Sequence, residues 1–181
     1  MPSLKRNSLL LLCLLLACCQ KADTTVEPDD ADRTDDMEVA IAGTGEGTRT
    51  CPYTVTDIRS LPLSGEEVWV IGYMVGTAPT SMNNASFSAS ATNQSNILLS
   101  SDSLCTDTAR CIPVELSSSK WKKSLSLPMN VGHFRKCLLV KGIPSRYLYN
   151  RKGLRSISAG LWMDGFDISS VTPQEWGSII L

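Results

Sequence analysis

Apolar and polar positions along this chain fall into short blocks that read as β-strands separated by turn-rich segments. The strongest block, residues 67–76, is β-branched and aromatic throughout and apolar on both faces, with Val68, Trp69, Val70, Ile71 and Tyr73 in one run. Gly72 in its middle marks a bend. Further strands are expected at 96–100, at 111–116, at 136–142 with a continuation past a bend over 143–150, and at 153–159 running on to Trp162. Pro113 places the third strand near an edge or bulge. Residues 53–58 read as a short entry helix with Thr54 or Thr56 as cap. A second helix is expected over 120–127, capped by Ser118 or Ser119 and ended by Pro128. Ser, Asn, Ala and Thr dominate 77–95, which reads as a loop. Five strands with a helix between the third and fourth predict an all-β domain with one or two short helices, a five-stranded OB-like barrel.

Ahead of this domain the pattern changes twice. Lys5 and Arg6 precede nine consecutive Leu, Cys or Ala residues, Leu9 to Ala17. That run is too short to span a bilayer, which takes about 20 apolar residues, and it fits the core of a secretory signal peptide. It ends Leu15-Leu16-Ala17-Cys18, which resembles the lipobox of bacterial lipoproteins. The resemblance implies cleavage before Cys18 and acylation of its thiol. Cys19 is the alternative, but Cys18 rather than a small residue would precede it; a plain signal peptide is the other reading. Each buried methylene contributes about 0.8 kcal/mol and one chain holds weakly, so an anchor of several acyl chains is what fixes such a protein to a bilayer. Residues 20–50 are poor in aromatics, and between Cys19 and Thr50 nine acids face three bases. Such a segment cannot bury enough apolar area to offset its ordering entropy. The expected organisation is a lipoprotein signal peptide at 1–17, an acidic flexible tether at 18–50 and the OB-like domain at 51–181. Gly43, Gly45 and Gly47 lack the Lys-Ser/Thr ending of a phosphate loop and belong to the tether.

Several segments carry a family likeness. Pro52-Tyr53-Thr54-Val55, then 68–76, Asn96-Ile97-Leu98-Leu99, Cys111-Ile112-Pro113-Val114-Glu115-Leu116, Val140-Lys141-Gly142 and 153–158 occur in this order. Together they look like a family of OB-like domains of unknown function in lipoproteins of gut anaerobes. Glu115 stands where that family usually has Gln, and Met74 where it has Ile. The likeness runs from Pro52 to about Trp162 and implies a fold and a compartment but no activity. The loop 77–95 and the tail beyond Trp162 stand outside it.

Charge singles out one region. Eleven Lys or Arg lie between Arg110 and Arg155 against one acid, Glu115, with Tyr147, Tyr149 and Trp162 interleaved or close by. OB domains hold oligosaccharides or single strands through a barrel face and loops. Aromatic rings stack on the ligand while cations track its charge. Tyr147, Tyr149, Arg146, Arg151, Lys152, Arg155 and Lys141 are therefore the candidate ligand-binding residues, and a solvated basic face is the competing reading.

Catalytic chemistry finds little support. His133 is the one histidine, so a His-based metal site is excluded and a triad would depend on a residue that reads as a solvated loop position. Ser117-Ser118-Ser119-Lys120 matches Ser-x-x-Lys, but its companion motifs are missing and a helix cap explains it. Asp164 and Asp167 flank Gly165 and read as a turn rather than a glycosidase pair. Cys51, Cys105, Cys111 and Cys137 include no Cys-x-x-Cys pair. Cys105 and Cys111 are near enough in sequence to bridge, yet buried thiols are the preferred reading. Asp23-Thr24-Thr25, Asp102-Ser103-Leu104 and Asp107-Thr108-Ala109 resemble an O-glycosylation signal of exported bacterial proteins.

The expectation is a non-enzymatic lipoprotein of the cell envelope, without metal or cofactor. Its partners would be the bilayer, through acylated Cys18, and a glycan or single-stranded polymer. The alternative is an accessory docking subunit of an envelope complex, with an envelope protein as partner. A small hydrolase using Asp164 and Asp167 ranks last.

Overall fold

In the computed structural model residues 45–164 are described. The signal segment, Cys18, most of the tether and the tail with Asp167 lie outside them. The protein is mostly β-sheet with few short helices. Its central strand, β2 (Val68–Gly76), explains why the strongest sequence block is apolar on both faces. Val70 and Met74 point into one core, with Ile97, Leu99, Leu138 and Leu154. Ile71, Tyr73 and Val75 point into a second, with Leu98, Cys111 and Leu139. A side chain at position 72 would press on Val55, Leu99 and the Ser100 carbonyl, so Gly72 lets the entry helix and the next strand approach β2.

Six strands form where five were expected. The addition is a two-residue strand, β1 (Tyr53–Thr54), parallel to β2, at the start of the expected helix. The helix itself, α1 (Val55–Ser60), begins two residues later than expected because Thr54 is its N-cap. Asp57 N donates to Thr54 Oγ1 at 3.2 Å and Thr54 N donates to Asp57 Oδ2 at 2.8 Å, a reciprocal capping box. The remaining strands are β3 (Asn96–Ser100), β4 (Cys111–Glu115), β5 (Cys137–Tyr147) and β6 (Arg151–Met163), and α2 (Ser119–Leu125) lies between β4 and β5. Ser118 caps α2, accepting from Trp121 N at 3.3 Å.

The sheet runs β1-β2-β3-β4-β6-β5, and β2 pairs with β5 as well. Contacts β2–β3, β3–β4, β5–β6 and β2–β5 are antiparallel; β4–β6 is parallel. The segment 77–95 is irregular, as expected, but anchored. Ala78 and Met82 are buried against the second core, and Thr77 and Ser86 exchange backbone hydrogen bonds of 3.0 and 2.8 Å.

Candidate ligand-binding cleft

The β5–β6 turn has three residues, because Tyr147 pairs with Arg151. Leu148, Tyr149 and Asn150 all have positive φ, at 40°, 53° and 71°. Each such residue without glycine's freedom costs roughly 1–2 kcal/mol. The turn is held by Leu148, half-buried against the second core, and by Arg146, whose guanidinium donates to the Asn150 carbonyl at 3.0 Å. The conformation projects the Tyr149 ring outward, with 83% of its surface exposed.

Facing this turn is the β2–β3 connection. Between them lies a cleft of about 450 Å³, lined on one side by Thr80, Ser81, Met82, Asn83 and Asn84 and on the other by Leu148, Tyr149 and Arg151. The lining combines an aromatic ring, hydroxyls, two carboxamides and one guanidinium. Asn84 Nδ2 donates to Thr80 Oγ1 at 2.9 Å, which orients that amide.

Asn96, fully buried at the start of β3, joins the roots of both walls. Its Oδ1 accepts from Ala78 N at 2.9 Å and its Nδ2 donates to the Ala78 carbonyl at 2.6 Å. It also acts on the phenol of Tyr147, at the end of β5, opposing the rise that burial gives its pKa. Asn96 read in the sequence only as the first residue of a strand; a polar side chain opening an otherwise apolar run was the available signal.

The seven candidate binding residues separate. Tyr149 and Arg151 share the cleft, and the Arg151 guanidinium has no ion pair or hydrogen bond among the described residues. Tyr147 is half-buried, and burial pushes its phenol above its ordinary pKa. Lys141 pairs with Glu67 at 2.7 Å. Arg155 forks onto Glu115, with Nε to Oε2 at 2.9 Å and a second bond of 3.2 Å to Oε1, and that partner raises the guanidinium pKa further. Lys152 donates to the carbonyls of Arg59, Ser60 and Leu61. Arg146 serves the turn.

A model of a family described as a domain of unknown function, DUF6359, matches residues 53–163. The chain belongs to the DUF6359 family. The match opens on β1 and closes on the last residue of β6, so the DUF6359 domain takes in all six strands and both walls of the cleft. The loop 77–95 lies inside this span, although the sequence likeness had left it out. No curated protein and no solved structure matches the chain.

Two other candidates take structural roles in this DUF6359 domain. His133, expected as a solvated loop residue, is half-buried and stacks on Trp162 with ring centres 4.2 Å apart and planes at 17°. Trp162 is fixed in turn by an Nε1 bond of 3.2 Å to the Ser124 carbonyl. Cys105 and Cys111 are buried free thiols. No cluster of His, Cys, Asp and Glu suited to a metal occurs among the described residues.

Proposed function

We propose that the chain is an exported, lipid-anchored binding protein whose DUF6359 domain is an OB-like barrel that takes an oligosaccharide in the Tyr149 cleft. The strand pairings support the barrel: leaving aside β1, the strands β2, β3, β4, β6 and β5 each pair with two others, β2–β5 completes the ring, and β4–β6 is its parallel contact. In such barrels the connection between the first two strands and that between the last two form the ligand site. Here those are the two walls of the cleft.

The observation that carries the ligand class is an exposed ring, Tyr149, facing hydroxyl and carboxamide side chains across the cleft. A sugar offers an apolar face for stacking and an edge of hydroxyls for bonding, and binding sites combine such surfaces with a few convergent polar groups. A phosphate polymer needs several cations in a row. Lys141, Arg155, Lys152 and Arg146 are engaged within the protein, leaving Arg151 as the cation in the cleft. Glycan is therefore favoured over single-stranded nucleic acid. Among the described residues the cleft is lined by no nucleophile with a base and an acid beside it, and the role proposed is binding without catalysis.

The test is an array of neutral and acidic oligosaccharides beside labelled single-stranded DNA, probed with the full chain at two salt concentrations. Glycan binding that Tyr149→Ala lowers at least tenfold supports the reading. Salt-sensitive DNA binding alone overturns the ligand class; no binding to either, with an envelope protein copurifying, favours the accessory role. The anchor has its own test: Cys18→Ala releases the protein from membranes, and continued membrane retention refutes lipidation.

A further inference from the structure

The connection between β3 and β4 closes on two thiols. Cys105 lies within it and Cys111 is the first residue of β4. Their Sγ atoms are 3.9 Å apart, and both approach the Asp107 carbonyl oxygen, at 3.5 Å from Cys105 and 3.3 Å from Cys111. The residues are 4% and 6% exposed and belong to the second core.

The chain around the two thiols is tied by hydrogen bonds and an ion pair. Asp102 Oδ1 accepts from Leu104 N at 2.8 Å, and its carbonyl accepts from Cys105 N at 3.3 Å. Asp107 Oδ1 accepts from Ala109 N at 2.7 Å and caps the short 3-10 turn Thr108–Arg110. Arg110 pairs with Asp102 across the loop at 3.6 Å. This framework holds the two sulfurs face to face without a bond between them. The sulfurs lie 3.9 Å apart against a bonding separation of about 2 Å.

We propose that Cys105 and Cys111 are an oxidation site that converts to an intramolecular disulfide and locks the β3–β4 connection onto the second core. The oxidant is a small disulfide such as oxidised glutathione. One cysteine thiolate attacks a glutathione sulfur, the glutathione S–S bond breaks, and one glutathione thiolate leaves and takes up a proton. The second cysteine thiolate attacks the protein-side sulfur of the mixed disulfide and expels the other glutathione as a thiol. Two protein thiols are oxidised, one glutathione disulfide is reduced to two thiols, and the protons balance. Burial, with Cys105 alongside, holds the Cys111 thiol protonated well above its ordinary range. Exchange is therefore slow and waits on loop opening, which suits a structural lock rather than a catalytic redox pair. The inference does not rest on the ligand reading. In an oxidising compartment such a bond persists.

The sequence offers a direct readout. Trypsin cuts after Arg59, Arg110 and Lys120, so the disulfide joins peptide 60–110 to peptide 111–120. The full chain, reduced and then equilibrated with oxidised glutathione, is blocked by alkylation, digested and mapped by mass spectrometry. The joined pair is expected as the main cross-linked species, and Cys137→Ser is expected to leave it in place. The oxidised chain should melt roughly 5–10 °C above the reduced one, a comparison that needs no variant. Cys105→Ser should abolish both the cross-link and the difference in melting temperature. Separate alkylation of Cys105 and Cys111 after oxidation would overturn the proposal, and so would Cys111 joined mainly to Cys137 or a cross-link without thermal gain.

Discussion

Asn96 and Ala78 exchange two hydrogen bonds, 2.9 Å from the Ala78 amide to Oδ1 and 2.6 Å from Nδ2 to the Ala78 carbonyl. A side chain thus stands in for a neighbouring strand at the point where β2 ends and the irregular connection begins. Both partners are fully buried, so removing the carboxamide leaves a backbone donor and acceptor unsatisfied. Such orphaned groups cost roughly 1–3 kcal/mol each. Asn96→Ala is expected to lower unfolding stability by about 2–4 kcal/mol and to abolish oligosaccharide binding, because both cleft walls lose their tie. Urea unfolding and glycan titration read the two effects. Normal binding in a destabilised variant would detach Asn96 from the site.

Tyr149 separates stability from binding. Its ring is exposed, so truncation removes little packing. Its backbone sits at φ 53°, where glycine is at ease and alanine is strained. Tyr149→Gly is therefore expected to be about 1 kcal/mol more stable than Tyr149→Ala, while both lose the stacking platform and bind glycan at least tenfold more weakly. Equal stabilities in urea would deny that the turn is strained. Unchanged binding in both would remove the ring from the ligand site.

The Glu67–Lys141 pair should make stability depend on acid. Lys141, followed by Ser158, donates to the Glu67 carboxylate and holds its pKa below the ordinary glutamate value. A carboxylate depressed in the folded state stabilises that state above its unfolded pKa. The contribution disappears as pH falls through the folded value, where the group is protonated in both states. The melting temperature of the wild type should thus exceed that of Glu67→Gln at neutral pH, and the two should converge on going well below the usual glutamate range. Because Glu67 is exposed to solvent, the gap is expected to be small and to shrink in salt. A gap that widens in acid would contradict the pairing.

Much of the sheet was legible because its strands are short apolar runs flanked by turn residues. β3 and β4 fall almost where the runs at 96–100 and 111–116 predict. What escaped was context. Tyr53 and Thr54 form a strand only because β2 lies beside them, and Ser156 takes φ 52° beside a register shift in β5–β6 that no residue type announces. The site was half legible. Exposed aromatics beside cations pointed to the β5–β6 turn, and Tyr149 and Arg151 do line the cleft. The opposite wall, Thr80 to Asn84, lay in a segment that reads only as loop, because its position depends on the buried bonds of Asn96. Nor could composition show that most of the cations would be engaged within the protein. The partners of Lys152, Arg59 to Leu61, lie about ninety residues away in sequence.

That last pairing yields a prediction that tells a fold cation from a ligand cation. Lys152 Nζ donates to the carbonyls of Arg59, Ser60 and Leu61 at 2.9, 3.3 and 2.6 Å. Carbonyls at the end of a helix have no partner of their own, and a charged donor there satisfies them while favouring the helix terminus. Lys152→Met keeps most of the stem and removes the ammonium, so it should cost about 1 kcal/mol and leave glycan affinity within twofold. Its neighbour in sequence behaves in the opposite way. The Arg151 side chain has no partner among the described residues and lines the cleft, so Arg151→Gln should leave the melting temperature within a degree or two and weaken the binding of acidic oligosaccharides more than that of neutral ones. The two variants, measured side by side by thermal melting and glycan titration, are expected to exchange their effects. A Lys152 variant that loses binding without losing stability would move the proposed ligand site from the loop cleft to the surface where β6 meets the end of α1.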